Sequence, residues 1–546
     1  MTISGKKIDC FLVGHNEIGV SRHNQLLRLL YGKSSRNYQE TEKYNLSHIR
    51  CGDGYYSPSQ VFNLVQHQDG ANAEIADTFP LTIAYLGSYL HRNGFRFEYA
   101  NAFHRERDRA KLAHHLERGE VATVAITTTY YLTMIPVLDI VKFVRSYDQD
   151  VKIIVGGPFI HNQVKQLSGE KLQWLLETIG ADYYVSSNEG EATLGGLLSA
   201  LKQGTSPRGT SNVWVKEGGR YVSGELAPEA NDLNANPVEW SLFASDIKDI
   251  VNIRTSKSCP FKCSFCSFPG AAGRYKVTDL SVVEHELDAL HAINPDLGLD
   301  IIDDTFNIPR PRFESLLKLM IRKKYRFRWY AFYKAQLAER EITRLMKDAG
   351  CVQVFAGCES GSQVILDNLV KQSTVEKYHE AFEYLHEFGL LSIASFIVGF
   401  PGETDETYRQ TLEFIQQAQP TFFRARLWWY DRTAPVHEDR ERFSLTGGGY
   451  EWQHYTMDSG TASKMADELI LSVRNSIHAT DYPIPFEMIV KGVPVDTVKA
   501  FMSRFRDYLH LSLTDPARAQ LFDREEVRRD FARVLGGEAW RPSTAC

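Results

Sequence analysis

Cysteine is scarce in this chain, with eight among 546 residues. That is too few, and too unevenly spread, for a disulfide framework, and it fits a reducing cytoplasm. No apolar run approaches the ~20 residues that cross a bilayer. The start, Met1 to Lys7, leads into a short apolar strand and not into a signal-peptide core. Basic residues are not in excess: 62 Lys and Arg face 68 Asp and Glu, a net charge of −6, so no broad basic surface argues for nucleic acid. Neither nucleic acid nor membrane is therefore an expected partner. Repeats and low-complexity tracts are also missing. What is present is 43% apolar residues, ample for folded cores, over a length that suits several domains of about 150 residues.

Three of the few cysteines stand together. Lys257-Ser258-Cys259-Pro260-Phe261-Lys262-Cys263-Ser264-Phe265-Cys266 follows the apolar run Ile250-Val251-Asn252-Ile253. The spacing is C-x3-C-x2-C. Thiolates are the usual protein ligands of iron–sulfur clusters, and a four-iron cube normally takes four. Three in one loop hold three irons and leave the fourth open to a small chelating molecule, such as the amino and carboxylate groups of S-adenosylmethionine (SAM). Phe265 is placed to stack on an adenine. A zinc knuckle is the alternative, but it needs a fourth ligand at short spacing, and the next histidine is His285.

The flanking pattern extends this reading. From 246 to 430, strand and helix signals alternate as in a partial (β/α)6 barrel, with the cysteine loop after the first strand. Barrel chemistry collects at the carboxyl ends of strands. Those ends carry Asp303 and Asp304, Tyr333 and Lys334, Cys358-Glu359-Ser360-Gly361, Gly399-Phe400-Pro401-Gly402-Glu403 and Tyr430. Asp303 or Asp304 also suits a cap on the next element, and Cys358 and Cys351 read as packed small hydrophobes.

Residues 1–203 alternate in the same way: Ile8 to Val13, Phe95 to Tyr99, Val121 to Ile126, Val151 to Val155 and Ala181 to Val185 are strand-like. Glycine-rich strand ends argue a doubly wound parallel sheet that takes its ligand at that edge. Thr127, Thr128, Thr129, Gly156, Gly157, Glu189 and Gly190 lie there. A polar, aromatic insertion, about 15–75, with Tyr38, Asp53, Tyr55, Tyr56 and His67, interrupts this domain. A Gly/Pro connector spans 204–245. The tail, 431–546, is expected to be a mainly helical cap that touches substrate.

The cysteine loop, the G-x-E-S-G at Gly357 to Gly361 and the G-x-P-G-E at Gly399 to Glu403 resemble the radical SAM enzymes. That resemblance implies a [4Fe-4S] cluster on Cys259, Cys263 and Cys266. It implies SAM near Phe265, Asp303, Asp304, Glu359, Ser360, Gly399 and Pro401, with a donor such as flavodoxin or ferredoxin. Lys334 stands where many relatives have arginine. The first domain, through Pro80-Leu81-Thr82, Gly156-Gly157-Pro158 and Asn188-Glu189-Gly190-Glu191, resembles the cobalamin domain that precedes many such barrels. The alternative there is a Rossmann-like domain that binds a nucleotide or has lost its cofactor. The D-x-H-x-x-G signature is missing, so cobalt bound without a protein histidine is expected.

The opening, Ile8-Asp9-Cys10-Phe11-Leu12-Val13-Gly14-His15-Asn16-Glu17, resembles the P-methyltransferase family of phosphinate antibiotic biosynthesis. The resemblance implies two-SAM methylation of an unactivated carbon or a phosphinate phosphorus in a small natural-product precursor or peptide. Tyr333, Lys334 and Tyr430 are the catalytic candidates, and Lys334, Arg424, Arg426 and Arg432 suit a bound anion. Ring contraction or cyclisation without methyl transfer is the second reading, and a cobalamin sensor or inactive partner the third.

Overall fold

The computed structural model describes residues 7–18, 20–44, 48–51, 54–66, 78–131, 133–187, 189–229, 231–479, 481–515, 519 and 522–536. Asp53, His67 and Asn188 lie outside them. The chain forms two compact units, one of Met1–Gly19, Phe79–Asp246 and Ser281–Ala289, the other of the remaining segments.

The first unit is built on strands β1 (Cys10–His15), β2 (Phe97–Ala102), β3 (Thr123–Thr127), β4 (Lys152–Gly156), β5 (Tyr183–Val185), β6 (Val213–Glu217) and β7 (Arg220–Ser223). Their order is β7-β6-β5-β4-β3-β1-β2. The first five strands are parallel. From β1 the chain crosses to β2 on one side, then returns to β3 on the other, which opens a crevice at the carboxyl ends of β1 and β3. Phe11, Val13, Val124, Ile126, Ile153 and Val155 fill the core, packed by Val137, Ile140 and Val144 of the helix Ile135–Tyr147.

The expected connector is in part a hairpin. Glu217 pairs with Arg220 across Gly218-Gly219, both at positive φ, and β6 extends the sheet antiparallel to β5. A two-glycine loop with left-handed residues matches the twist of the strands it joins.

In the second unit, β8 (Ile250–Ile253), β9 (Gly298–Ile301), β10 (Arg328–Tyr333), β11 (Cys351–Glu359), β12 (Leu391–Val398) and β13 (Phe422–Leu427) run parallel in sequence order, as the alternation predicts. The tail adds one more parallel strand, β14 (Ile477–His478), beside β13. It is otherwise mainly helical. Val498, Phe501, Met502, Phe505 and Leu509 recur at helical spacing along Val495–Thr514 and are buried.

The segment Val20–Thr78, expected as part of the first domain, groups with this unit instead. Ile49, Cys51, Val61 and Phe62 share a core with Phe501, Phe505 and Phe531 of the tail. Glu40 accepts a hydrogen bond from Ser463, and Asn37 one from the Tyr450 amide. Its apolar face is satisfied by tail helices, which outweighs its place in the chain.

Candidate functional site

The cysteine loop leaves β8 and is tied at its base. Ser256 and Lys257 pair antiparallel with Val277 and Lys276. Ser258, at φ 68°, donates to the Gly273 carbonyl at 2.8 Å. Asp303 is buried, and its oxygens accept from the amides of Thr255 and Ser256 and from the Thr255 hydroxyl, at 2.6, 3.0 and 2.7 Å. Asp303 thus holds the entry of the cysteine loop. Asp304 beside it is exposed.

Cys263 and Cys266 are joined by a turn, with the Cys266 amide 3.1 Å from the Cys263 carbonyl. Cys259 sulfur lies 3.4 Å from the Thr305 hydroxyl. Burial pushes the Cys266 thiol up, and Cys263 and Cys259 add to the rise. Three thiols that repel as thiolates on one loop suit a cationic iron cluster, which removes that repulsion. Among the described residues no three Cys, His, Asp or Glu side chains close on a single metal ion.

Ser264 fixes the middle of the loop. Its amide donates to the Leu369 carbonyl at 2.9 Å and its hydroxyl to the Asn368 carbonyl at 2.8 Å, while its own carbonyl accepts from Val436 at 2.8 Å. The Asn368 side chain in turn donates to the Pro401 carbonyl at 3.0 Å. One asparagine therefore links the cysteine loop to the G-x-P-G-E turn. Sequence reasoning passed over it, because Leu-Asp-Asn-Leu reads as an ordinary helix end.

Glu359, at φ 68°, is buried and pairs with Lys371 at 2.9 Å. A Cβ on Gly357 would sit 2.5 Å from the Glu359 carboxylate, so the glycine of G-x-E-S-G leaves room for this pair. Lys371 also lies 5.5 Å from the centre of the Phe265 ring. Lys334 stands over Phe261 at 3.0 Å, its peptide group clasped by Asn307. Burial lowers the Lys334 amine to about 8. Ser360 is spent on Thr411, 3.1 Å away, and Gly361 on the close approach of Phe414.

Two of the catalytic candidates face elsewhere. Tyr333 is buried toward Thr343 of the helix Arg340–Asp348, because strand alternation sends Lys334 to the opposite side. Tyr430 is locked in the cap core: its hydroxyl is 2.6 Å from His437 Nδ1 and its ring stacks on Trp428. Cys51, Cys351 and Cys358 are buried thiols that burial pushes up, which suits packing and not reactivity.

In the first unit, the sequence-predicted residues gather at the carboxyl edge of the sheet. Thr128 donates to the Gly156 carbonyl at 2.8 Å, and Thr129 bonds Thr127 and Thr82. Gly157 has φ 107°, and a Cβ there would meet Thr128 at 3.0 Å. Gly190, at φ 114°, starts the next helix, and Glu189 accepts from the Asn231 amide. Asn16 Oδ1 and Asn101 Oδ1 are buried at this edge without a hydrogen-bond partner among the described residues, and the His161 ring approaches the Ser186 backbone. Of these, only Asn16 lay in a stretch that the sequence marked.

Residues 253–415 match the model of the Radical SAM superfamily. The central region is a radical SAM domain, whose cofactors are a [4Fe-4S] cluster and SAM, and the chain is an enzyme. More particularly, it shares the fold of the radical SAM methyltransferase TsrM of Kitasatospora setae, solved with cobalamin and a [4Fe-4S] cluster bound (TM-score 0.60, 18% identity, 83% of this chain and 96% of that one). It also shares the fold of the cobalamin-dependent radical enzyme OxsB, solved with aqua-cobalamin and SAM (TM-score 0.60, 13% identity, 86% and 74%). In sequence it is 26% identical to an uncharacterised methyltransferase of Pyrococcus horikoshii over 62% of this chain and 73% of that protein. It is 27% identical to the anaerobic magnesium-protoporphyrin IX monomethyl ester cyclase of Rubrivivax gelatinosus over 65% of this chain, a match that spans 64% of the cyclase.

Proposed function

We propose that this chain is a cobalamin-dependent radical SAM methyltransferase. It moves a methyl group to an unactivated carbon or a phosphinate phosphorus of a small natural-product precursor, with SAM as radical and methyl source. The observation that carries the reading is one chain holding both a three-cysteine loop on a radical SAM barrel and a separate sheet with an open, glycine-lined carboxyl edge. The orphaned amide oxygens of Asn16 and Asn101 suit a ligand rimmed with amide groups, as cobalamin is. The names of the Pyrococcus relative and of TsrM support methyl transfer.

When bound, the cluster and SAM supply a 5′-deoxyadenosyl radical, and cobalamin supplies a transferable methyl group. The chain's own residues orient and exclude. Cys259, Cys263 and Cys266 hold the cluster, and Glu359, set by Lys371, offers its carboxylate to the amino group of SAM. Phe265 supplies a ring for the adenine, Asp304 and the Gly399 to Glu403 turn bound the same ligand, and Lys334 neutralises carboxylate charge. An external one-electron donor such as flavodoxin or ferredoxin and a reducing cytoplasm fit an exposed cluster. Among the described residues no helix is long and apolar enough to cross a membrane.

The cyclase relative favours a second reading, ring formation without methyl transfer. Anaerobic reconstitution followed by assay of 5′-deoxyadenosine and S-adenosylhomocysteine over a substrate panel separates the two. Both products with a methylated substrate are expected; deoxyadenosine alone under turnover would sink methyl transfer. In Cys263→Ala, deoxyadenosine should fall to background together with most of the bound iron.

A further inference from the structure

The side chains that point into the barrel from neighbouring strands leave polar atoms without partners. Asn252, Asp300, Tyr330 and Gln353 share one level of β8 to β11. Asn252 donates to Asp300 at 2.8 Å, but Asp300 Oδ1, the Tyr330 hydroxyl and Gln353 Oε1 are buried with no partner among the described residues. Above them Phe332 and Phe355 lie 5.2 Å apart, and Tyr482, from the segment after β14, closes on both at 6.0 and 5.1 Å. Arg424 on β13 brings its guanidinium carbon to 5.8 Å from the rings of Phe355 and Tyr482. Its Nε is buried without a partner, and Arg424 closes no salt bridge among the described residues. Phe332, Phe355, Arg424 and Tyr482 are only half-buried although they lie in the middle of a barrel: Phe355 and Tyr482 pack against the core on one side, and all four keep accessible surface.

We propose that this lumen binds an organic anion, a carboxylate or phosphinate carried on an apolar body about the size of a ring. The proposal rests on the radical SAM reading of the barrel and names the substrate class that barrel takes. A guanidinium held beside two aromatic rings keeps its planar fork, which matches two oxygens of such an anion. The three rings supply the apolar walls. Arg426 stands two residues along the same strand face, and Asp481 faces both arginines. Two guanidiniums against one carboxylate leave the space positive. Burial holds the Asp300 carboxyl up to about 7, which leaves it only partly ionised at neutral pH, and His478 and His510, kept neutral by burial, add no charge of their own. An aromatic cage alone also attracts cations, but here a cation already occupies its edge.

The test is calorimetry on the reconstituted enzyme under anaerobic conditions, with phenylphosphinate, phenylacetate, benzyl alcohol and phenethylamine as probes. Both anions should bind, and the alcohol and the amine at least tenfold more weakly. Arg424→Met should weaken both anions at least tenfold, Arg424→Lys less, and Tyr482→Leu severalfold, with iron content and circular dichroism as wild type. If Arg424→Met does not fold, Arg424→Lys and Tyr482→Leu carry the comparison. Equal affinity in the folded variants, equal binding of the alcohol or the amine, or no binding of either anion overturns the proposal. A wild-type enzyme that binds the anions but makes no deoxyadenosine would instead overturn the radical SAM reading and leave this site standing.

Discussion

Lys371 shows how one residue can carry a site without resembling a motif. It lies in Leu369-Val370-Lys371-Gln372-Ser373, which reads as a solvated turn. Yet it is 7% exposed, pairs with Glu359 and approaches Phe265 of the cysteine loop. Removing one member of a buried pair strands the other charge, at a cost of about 3–5 kcal/mol. Lys371→Met should therefore lower the thermal midpoint by several degrees and weaken SAM binding at least tenfold, read by equilibrium dialysis. The double variant Lys371→Met/Glu359→Gln removes the stranded charge. It should recover most of the stability but not the SAM affinity. Recovery of both would show that the pair serves only the fold, and an unchanged midpoint in the single variant would show that it is not strongly coupled at all.

The turn after β12 shows the same economy in a whole element. Gly399, at φ 89°, donates its amide to the Glu403 carboxylate, and its carbonyl accepts from His454. Trp452 and Ala462 crowd the place a Cβ would take. Burial pushes the Glu403 carboxyl up to about 7 from 4.5. Between those values the unfolded chain has released its proton and the folded one retains it, so stability falls as pH rises from about 4.5 to 7. The difference amounts to about 3 kcal/mol. Glu403→Gln should flatten that slope in thermal melts between pH 5 and 8; an equal slope in both proteins would refute the assignment. Elements of this kind were largely legible in the sequence. Apolar runs ending in Gly, Asp or Cys mark strands that enter a site, and β1 to β5 and β8 to β13 fall where those runs predicted. The hairpin of β6 and β7 was not marked, because Val-Trp-Val-Lys-Glu and Arg-Tyr-Val-Ser are short and only Gly218-Gly219 betrays the turn. Tyr333 was misplaced as a site residue because its neighbour Lys334 takes the inward side, and alternation permits only one of the two.

Across the whole molecule, local pattern stops being informative. Alternation implies a parallel sheet, but the crossing from β1 to β2 and back to β3 depends on which helices bury which faces. The segment Val20–Thr78 carries apolar residues with nothing to say which core they join; the tail's Phe501 and Phe531 decide it. The division into units makes the two proposed cofactor sites separable by experiment. The cysteines belong to the second unit and the glycine-lined edge to the first. Gly157→Val would force a β-branched residue to φ 107° and drive its Cβ against the Thr128 amide and hydroxyl, 3.0 Å away. Thr128 would have to leave the Gly156 carbonyl, and the edge would close where a bulky cofactor must approach. After anaerobic reconstitution and desalting, cobalt per chain should fall at least tenfold in this variant while iron per chain stays at the wild-type value. Cobalt retained at the wild-type level would remove the cobalamin reading of this edge. Loss of both metals would mean that the two units do not hold their cofactors independently.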